Sequence, residues 1–310
     1  MRILVTSVGT ATSVNLIRGL KKEGHTVLGT DINPLGYTAG SMLADCFFRI
    51  PPASDPGYAS ALIRILRAEQ ADLLIPVHDE ELEKVASDTS RFPCRVFLPE
   101  VSVIRLFRDK TASCEAVAAL GVTVPRILKE DDLSVARILK PRVSVGSKGI
   151  RILPPGEAGG AWDPGTHLLQ AFIDGEEYTV DNLCDGEGNP AWIIPRKRLE
   201  VKSGVATKVL VEKNEALISL VRRILSRFLL PGFSNMQFIR SVSGEFFFVE
   251  VNPRFSGCGA ATLAVTEGYL EHYLDFARGG RFSGEINQGV AWNSVVTRYY
   301  EEVVYHADHL

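Results

Sequence analysis

Glu250 and Asn252 stand two residues apart at the end of an aromatic and β-branched run, residues 246–251, that Pro253 terminates. Such a run reads as a strand. Side chains alternate along a strand, so Phe246, Phe248, Glu250 and Asn252 are expected on one face, with a carboxylate and an amide side by side at its end. Residues 235–240 form a second strand-like run, joined to the first by the turn sequence Ser241-Val242-Ser243-Gly244. Pairing Arg240 with Glu245 across that turn sets Gln237 opposite Phe248, on the face of Glu250. A slip of one residue would undo this arrangement. In that register Gln237, Glu250 and Asn252 converge as hard oxygen donors. One carboxylate with amides suits Mg²⁺ shared with substrate phosphates better than zinc or a full protein cage. The competing reading is a solvated strand end whose Glu and Asn cap the next turn.

Other stretches could handle anions. Lys140 lies at the end of a strand-like run and is followed by Gly146, Ser147, Lys148 and Gly149 before a strand resumes at Ile150. Glycines let backbone N–H groups turn toward an anion, so this loop reads as a flap over phosphates, although a plain hairpin with solvated lysines fits too. The strand-to-helix P-loop pattern is absent. The run 195–198, with Lys208, brings positive charge. Strand 72–76 ends in His78, Asp79, Glu80 and Glu81. Acids past the carboxyl end of a parallel strand could orient an amine, or could simply start the helix 82–86. His78 reads as a local hydrogen-bonding residue.

The elements that must position these groups follow from periodicity. The 310 residues, 45% hydrophobic and 23% charged, suffice for two or three globular domains. A net charge of −3 and the lack of a basic run argue against nucleic-acid binding. Five dispersed cysteines without a CxxC pair suggest neither zinc nor a disulfide framework, so a reducing cytoplasm is expected. Residues 1–8 look like a strand rather than a signal peptide, and no run reaches the length of a membrane span. Strand 2–6, a helix ending at Gly24 and strand 25–31 make a βαβ unit with Asp31 at its end. Only Gly9 occupies the dinucleotide fingerprint, so a Rossmann-like domain without a dinucleotide is the better reading, and an NAD-dependent oxidoreductase the weaker one. Helices are expected at 58–69, 111–120 and 215–228, and strands at 95–99 and 295–299. Strands meet at Asp174-Gly175, and residues 154–165 read as a Gly/Pro-rich loop.

Taken together and in order, the glycine loop, the stretch from Gln170 to Glu177 and the string from Asn235 through Asn252-Pro253-Arg254-Phe255-Ser256 resemble the ATP-grasp superfamily. The likeness spans nearly the whole chain. It is nearest to a single ATP-binding module of the carbamoyl phosphate synthase large subunit and to related carboxylate–amine ligases. The resemblance implies an α/β and α+β fold: a Rossmann-like pre-ATP-grasp domain over 1–106 and an ATP-grasp domain over 107–310. The latter divides into a small lid subdomain, about 123–172, and a larger metal-binding subdomain.

By position the resemblance assigns Lys110 and Lys140 to ATP phosphates, and Gly146, Ser147, Lys148 and Gly149 to the flap. Gln170, Ala171 and Ile173 would line the adenine, Glu177 would bind ribose, and Gln237, Glu250 and Asn252 would hold Mg²⁺, with Mn²⁺ as an alternative. Arg254, with Arg198, would hold the acid, since arginine suits bidentate carboxylate recognition, and Lys208 would neutralise phosphate charge. Asp79 and Glu80 are assigned to the substrate side. The implied activity is ADP-forming: a carboxylate or bicarbonate-like acid becomes an acyl phosphate that an amine or ammonia attacks. Small-molecule partners are expected, with no nucleic acid and no membrane, and a homodimer is compatible. A nucleotide-binding module that has lost catalysis is the alternative. Two departures stand out: Gln170 replaces the usual Glu, and the segment between Gly149 and Gln170 lacks the length and composition of the usual lid helix. With one module, carbamoyl phosphate synthesis by this chain alone is not expected.

Overall fold

The computed structural model describes residues 1–144, 149–202 and 204–306. Strands β1 (Arg2–Val5), β2 (Thr26–Asp31), β3 (Cys46–Arg49), β4 (Leu73–Ile75) and β5 (Arg95–Val96) form a parallel sheet in the order β3-β2-β1-β4-β5. Helices α1 (Ala11–Lys22), α2 (Ala39–Leu43), α3 (Tyr58–Ala68) and α4 (Asp79–Ala86) connect them. After Arg2, β1 is apolar and buried because both faces are covered. Ile3 and Val5 enter one core while Leu4 joins Leu28, Leu62 and Leu74 in another. β3 and α2 were not anticipated; both are short, and β3 is a half-covered edge. Asp31, which the dinucleotide reading would give to a ribose, is turned inward. It accepts hydrogen bonds from Gly9 N at 2.7 Å, Asn33 N at 2.9 Å and Asn33 Nδ2 at 2.8 Å. A Cβ on Gly9 would lie 2.9 Å from the same carboxylate, so glycine is needed here for close approach.

Helices α5 (Val101–Arg108) and α6 (Lys110–Ala118) lead to a small antiparallel sheet, β7-β6-β8, made of β6 (Arg137–Pro141), β7 (Arg151–Leu153) and β8 (His167–Ala171). Its core holds only Leu128, Leu139, Leu153 and Leu169. Among the described residues no helix lies between β7 and β8. Instead the fully buried Arg137 reaches two flanking loops, Nη1 donating to Glu130 O at 3.2 Å and Nη2 to Glu157 O. The chain then crosses residues 172–174 and enters a second sheet.

That sheet is antiparallel, in the order β13-β12-β9-β10-β11-β14. Its strands are β9 (Gly175–Cys184), β10 (Pro190–Lys202), β11 (Val205–Val211), β12 (Gly232–Ser241), β13 (Phe246–Asn252) and β14 (Ser294–Thr297). Helix α7 (Glu215–Leu225) covers one face. Its Leu217, Val221 and Ile224 pack with Met236, Phe238 and Phe248. Helices α8 (Gly259–Val265) and α9 (Tyr269–Ala277) cover the other face. There one core runs from Trp192 and Ile194 through Leu270 and Leu274 to Ile3 and Leu16 of the first sheet.

The β12–β13 hairpin corrects the expected register. Its turn is tighter, with Ser241 N bonded to Glu245 O at 2.9 Å and Gly244 at φ 89°, so Arg240 faces Phe246 rather than Glu245. Gln237 faces Glu250, not Phe248, while Phe238 faces Phe248. Val249 is the extra residue of a β-bulge. The bulge resets the alternation. Phe246, Phe248 and Val251 all enter the core, while Glu250 and Asn252 do not share the face of the phenylalanines as expected.

Candidate functional site

Glu250, Asn252 and Gln237 line a cleft of about 240 Å³ together with Thr12, Asp79, Thr179, Arg198, Asn235, Arg254 and Ser256. The bulge is what turns Glu250 into it. Asn252 Nδ2 donates to Glu250 Oε1 at 3.0 Å and to Asn235 Oδ1 at 3.3 Å. The amide nitrogen is thereby spent, leaving Asn252 Oδ1 and Glu250 Oε2 as acceptors. Asn235 in turn donates through Nδ2 to Asn252 O at 3.3 Å and Arg254 O at 3.2 Å, which fixes the strand end. One carboxylate with two amide oxygens is a donor set that fits a hard cation keeping its waters and phosphate oxygens. Among the described residues no group of three or more His, Cys, Asp or Glu could hold a metal, so a protein-only cage is not offered.

An adjoining hollow of about 160 Å³ is lined by Asp79, Glu80, Arg108, Lys110, Ser144, Glu250 and Asn252. Lys110, 8% exposed, donates from Nζ to Ser144 Oγ at 3.1 Å. The Asp109 cap of α6 is forked by Arg142 at 2.6 Å, which ties this helix to the small sheet. Burial pushes the Lys140 ammonium below its ordinary pKa, with Glu250 pulling the other way and Lys110 adding to the fall. Lys110, Lys140 and Glu250 are thus close enough for their charges to interact. Gln170 is fully buried; Nε2 donates to Pro125 O at 3.1 Å, while among the described residues Oε1 has no partner. Ala171 ends β8, and Ile173 follows in the crossing between sheets. Gly146, Ser147 and Lys148 lie outside the described residues; Gly149, at φ 75°, approaches Pro141.

The charged residues assigned to substrate are largely paired with one another. Arg254 forks onto Asp79, Nε to Oδ1 at 2.7 Å and Nη2 to Oδ2 at 3.1 Å. Burial raises the Asp79 carboxyl, but the Arg254 guanidinium outweighs it and holds that carboxyl below its usual range. Arg198 donates from Nη1 to Glu177 Oε2 at 2.6 Å and from Nη2 to Gly204 O at 2.8 Å, so the residues given to acid and to ribose hold each other. Glu80 is exposed in the first turn of α4, whose N-cap is His78. Lys208 does not join the cleft. It pairs with Glu200 across the β10–β11 ladder, Nζ 3.5 Å from Oε2, and is 41% exposed.

Sequence reasoning missed Asn235, Thr12 and Thr179. Asn235 lies two residues before Gln237, so strand alternation alone could have found it. Thr12 and Thr179 are brought in by tertiary packing and left no local signal.

A parallel α/β domain thus precedes two antiparallel sheets, and residues of the first domain and of the six-stranded sheet line the cleft together. Residues 3–97 match the family model of the PylC-like N-terminal domain, and residues 107–258 that of the ATP-grasp domain. The chain therefore joins a PylC-like N-terminal domain to an ATP-grasp domain. No curated protein matches the sequence. Among solved structures, the biotin carboxylase domain dimer of Hydrogenobacter thermophilus 2-oxoglutarate carboxylase, in complex with MgADP, ADP and bicarbonate, is similar with a TM-score of 0.73 at 20% identity. The match covers 95% of this chain and 73% of that one. Campylobacter jejuni biotin carboxylase, in a β-γ-ATP complex, gives 0.71 at 16% identity over 95% and 74%. Staphylococcus aureus N5-carboxyaminoimidazole synthetase gives 0.70 at 12% over 96% and 79%. At these identities the likeness is one of fold.

Proposed function

We propose that this chain is an ADP-forming ligase that activates a carboxylate, or bicarbonate, as an acyl phosphate for attack by an amine or ammonia. The observation that carries this reading is the gathering of Glu250, Gln237, Asn252 and Arg254 in one cleft, beside Lys110 and with Lys140 in electrostatic reach of Glu250. The ATP-grasp family match supports it, as do neighbours described with MgADP and bicarbonate.

Phosphoryl transfer needs positioning and charge neutralisation more than covalent help. Lys110 and Lys140 neutralise the polyphosphate. Glu250, with Gln237 and Asn252, would hold Mg²⁺, which would further neutralise phosphate charge. Gln170, with its orphan Oε1, and the backbone at Ala171 and Ile173 receive the adenine, and Glu177, oriented by Arg198, receives the ribose. A carboxylate oxygen attacks the γ-phosphorus; the O–P bond forms as the bond to the bridging oxygen breaks, and ADP leaves. The amine then attacks the acyl carbon, losing a proton as the C–N bond forms and phosphate departs. Lys208 has no part in this scheme. The homodimer remains part of the reading, and one neighbour is itself described as a domain dimer.

ADP release tested with bicarbonate and panels of acids and amines checks the reading. ADP formation that depends on both substrates is expected. Tight MgATP binding with no acid-dependent ADP release would favour a nucleotide-binding module instead.

A further inference from the structure

Arg254 is assigned above to the acid, yet one of its two bidentate edges, Nε with Nη2, is already filled. Asp79 takes Nε and Nη2 at 2.7 and 3.1 Å, in a pair only 18% and 13% exposed. Nη1 has just a long contact of 3.4 Å to Phe255 O. Both partners sit on fixed backbone. Asp79 is the first residue of α4, and Glu81 two residues later is buried and bonded by Thr6 Oγ1 and His78 N. Arg254 N is bonded to Asn252 O at 2.9 Å, and its own carbonyl accepts from Asn235. The titratable and charged groups facing the pair are His78 and Arg108 beside Asp79, and Glu250 beside Arg254.

We infer that Asp79 is the positioning residue for Arg254: the N-terminal domain's own carboxylate occupies the Nε/Nη2 fork and leaves the Nη1/Nη2 end to donate to the reacting oxygens. This rests on the proposed role of Arg254 toward the acid. A substrate carboxylate on the fork would strand Asp79 as a buried, unpaired charge, which is costly. The N–H groups left on the Nη1/Nη2 end, by contrast, strengthen as charge gathers on the reacting oxygens in the transition state. The sequence-based reading set Asp79 on the substrate side, where it could orient an amine or start α4; the role inferred here is a different one.

The test uses D79N and D79E in the full chain, with MgATP and bicarbonate, or the panel acid that supports ADP release. We expect D79N to lower kcat roughly 10- to 100-fold, as loss of an orienting partner does. The KM for ATP should stay within about twofold of wild type, and D79E should recover part of the rate. The pairing is also read without turnover. The Arg254 Nε–H signal in ¹⁵N NMR, identified by its loss in R254K, should exchange slowly in wild type and quickly in D79N. An unchanged kcat or an unchanged Arg254 signal in D79N would overturn the inference. So would a lowered KM for the acid, which would make Asp79 an occupant of the substrate's place, or a raised KM for the amine alone. Failure of wild type to release ADP with any acid counts against the proposed function, and the NMR comparison then decides the pairing by itself.

Discussion

At the residue scale the cleft divides into what is local in the chain and what is not. Glu250 and Asn252 were legible because they are neighbours on one strand, and Asn235 was within reach of the same logic. The partner of Arg254 was not legible, because Asp79 lies 175 residues away and only the fold brings them together. Two predictions belong here. E250Q keeps the size of the side chain but removes the carboxylate of the hard-cation set. Turnover at limiting Mg²⁺ should fall by at least about 100-fold with little change in thermal stability, checked by a Mg²⁺ titration of rate beside a melting curve. The second concerns pH. The Asp79 carboxyl has a depressed pKa when folded, so its contribution is present above the unfolded carboxylate value and is lost as pH falls through the folded one. D79N should therefore cost on the order of 3 kcal/mol near pH 7, for breaking a buried pair. That gap should begin to narrow near the unfolded aspartate pKa, about pH 4, and close as pH falls further through the depressed folded value. Melting curves of both proteins across that range check it, and a gap independent of pH would contradict the pairing.

At the element scale the Rossmann-like strands and helices were legible from continuous apolar runs and 3.6-residue periodicity. The long strand β10 was not: Pro195 and the basic run after it argue against a central strand, yet Pro195 pairs with Val180 inside the sheet. Nor was the bulge at Val249, since nothing in a run of phenylalanines and valines marks which residue is skipped. Yet that bulge decides the face of Glu250. Deleting Val249 should restore plain alternation while leaving Gln237 opposite Glu250, so Glu250 stays in the cleft. A folded variant that keeps its Mg²⁺ response is expected; a folded deletion variant that has lost that response would refute this view of the hairpin. The small sheet makes a separate case. Among the described residues no helix lies between its strands β7 and β8, and the buried guanidinium of Arg137 holds the flanking loops through backbone oxygens. R137M should raise amide exchange around residues 130–137 and 151–158 while leaving β9 to β13 protected, because each loop carbonyl loses its donor. Exchange unchanged in both segments would remove Arg137 from that role.

At the scale of the whole molecule, one core joins the first sheet to the six-stranded sheet, and the Asp79–Arg254 pair adds a charged link between them at the cleft. The N-terminal domain is thus part of the site. Its own acid beside the dinucleotide position, Asp31, is used up inside the domain. The central claim is that a carboxylate is phosphorylated in this cleft rather than adenylated. The most direct measurement supplies the substrate acid with ¹⁸O in its carboxylate, together with MgATP and the amine, and follows both the nucleotide product and the label. One carboxylate oxygen leaves with the transferred phosphoryl group, so ADP and ¹⁸O-labelled inorganic phosphate should appear together, and both should be lost in E250Q. AMP with pyrophosphate, or ADP with unlabelled phosphate, would contradict the claim.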